Sequence, residues 1–132
     1  MRGLDTNILV RFFVQDDPDQ TALVQRLFEQ NEREGARLHV SSVTLCEVVW
    51  VLGTVYQMKR PQIYEALESL FDIRLLEIQD RELVRRALID SRAGKAEFSD
   101  HLIGWQNRRA GCTDTITFDR GLRTTPGFTL LS

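Results

Sequence analysis

The sequence predicts an α/β fold, a three-layer α/β/α sandwich with a mainly parallel central sheet, filling one domain over residues 1–132. Three observations predict it. Short β-like apolar runs recur along the chain, before Asp5 and at residues 38–41, 74–78, 116–118 and 128–131. Segments of helical spacing, several with start signals, lie between them. Strands that alternate with helices pair in parallel and take helices on both faces. The length suits one domain and is enough to bury about two-thirds of the unfolded surface.

The elements follow in order. A short strand ends near Asp5, and the apolar residues Ile8 to Val14 continue as a helix. Asp16-Asp17-Pro18 starts the next helix, with an Asp cap and Pro in its first turn. Leu23, Val24, Leu27 and Phe28 share a face of that helix, and Gly35 ends it. After the strand at 38–41, Ser42 or Thr44 caps a long helix to about Met58, apolar on several faces and so expected to be deeply buried. Pro61 opens a helix with Ile63, Tyr64, Leu67, Leu70 and Phe71 as its core face. Asp80 caps a helix through Leu83, Val84, Ala87 and Leu88 that fades before Gly94. The last helix runs over 98–110, closed by Gly111, and two short strands complete the chain.

Composition excludes several classes. An apolar fraction of 42% with 27% charged residues is that of an ordinary globular domain. A formal charge of −2 argues against a strongly basic nucleic-acid binder, so attraction to phosphate must come from local patches or from metal. The N-terminus lacks the apolar stretch of a signal peptide, and the most apolar window, 48–56, is far shorter than a membrane span. Cytoplasm is the expected location. Cys46 and Cys112 lack paired spacing and are expected as buried, reduced thiols. His39 and His101 have no ligand-like spacing, which argues against zinc.

Four acids stand out: Asp5, Glu47, Asp100 and Asp119 each end a β-like run or lie near the start of a helix. Sheets of this class gather the carboxyl ends of their strands at one edge, where sites form. Each acid also has a purely structural reading. Asp5 suits a helix N-cap or an Asx turn. Glu47 closes a capping box in Thr44-Leu45-Cys46-Glu47. Asp100 lies in a first helical turn, where an anion meets the helix dipole, and Asp119 suits a turn before Arg120-Gly121. Taken together they would form a carboxylate cluster that is unstable unless protonated or occupied by a hard cation.

At these residues the chain resembles the PIN-domain family, and most closely the VapC-type toxins of bacterial toxin–antitoxin systems. Leu4-Asp5-Thr6-Asn7-Ile8-Leu9-Val10 is similar to the family's opening motif, and the run from Ser41 through Glu47 to Leu52 to its glutamate-bearing helix. Glu97-Phe98-Ser99-Asp100-His101-Leu102-Ile103 and the run from Gly111 to Asp119 resemble the third and fourth segments. Gly3 stands where a larger apolar residue is usual, and His101, expected to face solvent, where a small one is usual.

The resemblance implies an α/β/α domain that binds Mg²⁺, with Mn²⁺ able to substitute, and cuts RNA. It carries over Asp5, Glu47, Asp100 and Asp119 as catalytic acids, with Asp5, Asp100 and Asp119 as metal ligands. Thr6, Asn7 and Thr117 are implied as supporting residues, and Glu97 with them. Glu47 would orient or deprotonate the attacking water. Among basic residues near the motifs, Arg120 is the first candidate to hold RNA because it follows Asp119, with Arg11 next. A small antitoxin protein and a second copy of the chain are the implied partners. Two alternatives stay open: a metal-dependent phosphatase, which would want an acid where Asn7 stands, and an inactive PIN-like interaction domain.

Overall fold

The computed structural model describes residues 1–132, and contacts divide them into two compact units, Met1–Arg81 and Glu82–Ser132. The class is the expected one: helices alternate with strands, and every strand pair is parallel.

In the first unit, β1 (Arg2–Gly3), β2 (Leu38–Val40) and β3 (Leu76–Ile78) pair side by side in that order. Leu38 aligns with Leu76 and Val40 with Ile78, so these four side chains share one face, and all are buried. The alternate row, Gly3, His39 and Glu77, lies on the other face, where His39 and Glu77 are half-buried and their side chains approach to 3.3 Å. Period-two alternation thus gives this sheet one apolar and one polar face.

The helices of this unit are α1 (Thr6–Phe13), α2 (Pro18–Glu34), α3 (Ser42–Thr54) and α4 (Arg60–Leu70). Asp17 caps α2, its carboxylate accepting from the Gln20 amide at 3.1 Å, and Gly35 ends it at φ 66°, a conformation that favours glycine. The start of α3 differs from expectation. Its cap is Ser41, whose Oγ accepts from the Thr44 amide at 3.1 Å, not Ser42 or Thr44. Its end comes early too: Gln57, at φ 54°, turns the chain, and the Met58 N–H returns to the Leu52 carbonyl at 3.0 Å. Nor is α3 buried all round. Leu45, Val48 and Leu52 are buried, while Val43 and Trp50 are 71% and 62% exposed on the far side.

The second unit holds α5 (Arg81–Ala93, but for its first residue), α6 (Phe98–Arg109), β4 (Thr115–Thr117) and β5 (Phe128–Leu130), the two strands paired in parallel. Phe98, Leu102, Val84, Ala87 and Leu88 are buried. Asp80, expected to cap α5, sits at φ 51°, in the left-handed region that Asp tolerates and outside the extended geometry of a cap. No helix is long and apolar enough to cross a membrane.

Candidate active site

Each of the four acids is placed by the element beside it. Asp5 follows β1 and caps α1, its Oδ1 accepting from the Thr6 amide at 2.7 Å. Asp119 follows β4 and caps a 3₁₀ turn, Arg120–Leu122, its Oδ1 accepting from the Gly121 amide at 2.8 Å. The Asp119 amide in turn donates to Thr117 Oγ1 at 3.0 Å, so Thr117 holds the backbone rather than the carboxylate. Asp100 forms a capping box with Glu97 at the start of α6, its Oδ2 accepting from the Glu97 amide at 3.1 Å. Three of the structural readings are therefore realised. They are compatible with a second role, because each carboxylate has only one oxygen so engaged.

Glu47 is different. With Ser41 as the cap it stands in the body of α3, beyond any capping box, and it is exposed between Val43 and Trp50 on the helix surface. Asp5 and Asp119 are exposed as well, and Asp100 is half-buried. Asn7 is exposed in the first turn of α1, and Thr6 is half-buried beside it.

These donors are carboxylate oxygens, the set that hard cations such as Mg²⁺ select. The fit is one of donor chemistry: each of Asp5, Asp100 and Asp119 is pinned at one oxygen and has the other unengaged. In neither unit do three His, Cys, Asp or Glu side chains gather as a metal-ligating group.

The basic candidates separate clearly. Arg11 is committed within the fold: its guanidinium donates to Gln20 Oε1, the Val14 carbonyl and Asp16, tying the end of α1 to the start of α2. Arg120 is exposed and opens the turn that Asp119 caps.

Two expectations about other residues are corrected. His101 does not face solvent; its side chain is 10% exposed, with Nδ1 3.9 Å from Asp90. Cys112 is exposed, not buried, while Cys46 is half-buried and burial raises its thiol pKa above the ordinary value. Sequence reasoning missed Asp90 and Trp105 altogether. The signal for Trp105 was its helical spacing with His101 and Arg108 on a face of α6; Asp90, on α5, had none.

Comparisons place the chain among known proteins. It is 24% identical over 120 residues to a VapC ribonuclease of Aquifex aeolicus (strain VF5), covering 91% of this chain and 88% of that protein. A solved toxin–antitoxin complex from Klebsiella pneumoniae aligns with 98% of this chain and 96% of that one, at 16% identity and a TM-score of 0.34, a likeness that carries no inference. The PIN domain family model matches residues 4–127, nearly the whole chain, and the chain belongs to the PIN domain family.

Proposed function

We propose that this protein is a metal-dependent endoribonuclease, the toxin of a toxin–antitoxin pair, and that residues 1–132 act as one nuclease domain. The observation that carries the reading is the geometry shared by Asp5, Asp100 and Asp119: each carboxylate is pinned by one backbone amide and keeps an oxygen for a ligand. Family membership and the similarity to a VapC ribonuclease support the activity.

In this reading Asp5 and Asp119 supply the direct ligands to Mg²⁺ or Mn²⁺, and Asp100 a further ligand or a hold on coordinated water. A bound divalent cation lowers the pKa of water and neutralises charge that develops on the scissile phosphate. Glu47, exposed and free of any capping duty, orients the attacking water and takes its proton. Thr117 steadies Asp119 through its backbone, Thr6 offers the amide that pins Asp5, and Glu97 does the same for Asp100. Asn7 is assigned a supporting role beside Asp5. Arg120 meets the RNA phosphate. The committed contacts of Arg11 make it a weaker partner for RNA.

The antitoxin and a second copy of the chain are the proposed protein partners, acting in the cytoplasm. The exposed apolar residues Val43 and Trp50 of α3, with Leu23 of α2, support a protein-covered surface. The test uses the purified protein freed of any partner and incubated with total cellular RNA. Cleavage in Mg²⁺ that is lost in EDTA and lost in Asp119→Asn is the expected result. Equal cleavage in all three conditions contradicts the proposal.

A further inference from the structure

A cavity of about 700 Å³ opens within the second unit, and none of the four acids lines it. One wall is the face of α6 that carries His101, Gly104, Trp105 and Arg108. The opposite wall comes from the segments around β4 and β5, with Phe128 so near Gly104 that a Cβ there would lie 3.1 Å from its ring. Volumes of this order hold small-molecule ligands.

The chemistry of the lining has a sign. Both carboxylates in the cavity are tied to neighbours: Asp90 Oδ2 accepts from Trp105 Nε1 at 2.7 Å, and Asp114 Oδ2 accepts from Thr129 Oγ1 at 2.6 Å. Arg108 makes no ion pair; its guanidinium stands 5.5 Å from the centre of the Trp105 ring. An open cation beside aromatic rings, with the nearby acids engaged, favours a planar ligand that carries an anion. The charge of the two units agrees. The second has eight Lys and Arg against six Asp and Glu, a net +2, whereas the first has nine against thirteen, a net −4.

We propose that this cavity binds one nucleoside monophosphate unit, its phosphate on Arg108 and its base among His101, Trp105 and Phe128. The unit belongs to an unstacked stretch of the RNA substrate, which rests on the nuclease reading above; a free nucleotide carries the same chemistry and is the other source. Bases that leave the stack are held in proteins by aromatic side chains and guanidinium planes in this manner. The cavity would then select RNA at a nucleotide other than those facing the catalytic acids.

Cys112 supplies the test, because it lines the cavity and is exposed, whereas Cys46 is half-buried with a less acidic thiol. Alkylation of the wild-type protein near neutral pH, in EDTA so that nothing is cut, is followed at each cysteine by mass spectrometry. A single-stranded RNA hexamer at about ten times its dissociation constant is expected to slow Cys112 alkylation about tenfold by mass action. Arg108→Gln, at an exposed position, is expected to weaken that protection about tenfold through loss of charge-assisted hydrogen bonds. Trp105 fluorescence in Trp50→Phe protein gives a second reading of the same affinity. Protection by AMP, CMP, GMP or UMP without protection by the hexamer assigns the cavity to a free nucleotide and overturns the RNA assignment. No protection by either, or full protection in Arg108→Gln, overturns the proposal. Cys112 protected in a protein that never cuts RNA with metal present would instead remove the nuclease reading and leave the cavity as a nucleotide site.

Discussion

Asp5 uses one oxygen to cap α1, and in the proposed mechanism the other meets a cation; the two roles separate by substitution. Asn caps helices about as well as Asp. Asp5→Asn is therefore expected to melt close to the wild type without metal but to lose most of the rise in melting temperature that millimolar Mn²⁺ gives the wild type. Equal rises in both proteins contradict a ligand role. For Glu47→Gln the expectation is a stability change within about 0.5 kcal/mol, as for an exposed position, and a loss of cleavage of about 10²-fold. A folded variant that cuts RNA normally removes Glu47 from the mechanism. Residue types were legible in the sequence, but their local duties were only partly so. Ser42 or Thr44 reads as the cap of α3, whereas Ser41 holds that place, and with Thr44 as cap Glu47 reads as a capping partner that it is not. Cys46 has a pH consequence. Its folded pKa is raised by burial, so the unfolded chain gives up this proton first; stability is undiminished below the ordinary thiol value of 9.0 and is lost as pH rises through the folded value. Denaturation of Cys46→Ala, compared with the wild type on the alkaline side, is expected to show a smaller decline.

At the scale of elements the boundaries carry the tests. Ser41 starts α3 through its bond to the Thr44 amide, so Ser41→Ala is expected to cost about 1 kcal/mol in urea denaturation. Thr44→Val should cost less, since the Thr44 hydroxyl meets only Ser41 Oγ, at 2.8 Å. Gly3 lies in β1, where an added Cβ would meet nothing within 4 Å and φ is not positive. Gly3→Ala is expected to stabilise by about 0.4–1 kcal/mol, mostly by restricting the unfolded chain. The alternation of strands and helices was readable because Asp17-Pro18, Gly35, Pro61 and Gly111 punctuate the chain with signals that need no tertiary partner. The end of α3 was not readable, because Gln57 adopts a left-handed turn that its residue type does not announce. Nor was the exposed side of α3: a helix apolar on several faces reads as buried, while the structure leaves Val43 and Trp50 open.

For the whole molecule, the motif order made the four acids legible, yet their local hydrogen bonds were only partly so. Sequence shows where each carboxylate enters its element but not which of its oxygens a local backbone amide takes up. The cavity on α6 was hidden for another reason. His101 reads as an isolated surface residue until Asp90 and Trp105 are seen beside it, and their hydrogen bond joins α5 to α6. Charge also reads differently at this scale, since a near-neutral total conceals a basic second unit and an acidic first. In the proposed hydrolysis by four acids and a divalent cation, water attacks phosphorus and the ribose 2′-hydroxyl does not. Mapping the ends of RNA cut by the purified protein in Mn²⁺ decides between the two nucleophiles. The expected products carry 5′-phosphate and 3′-hydroxyl ends and are lost in EDTA and in Asp5→Asn. Products ending in 2′,3′-cyclic phosphate, or the same ends formed equally well in EDTA, would contradict the proposed hydrolysis.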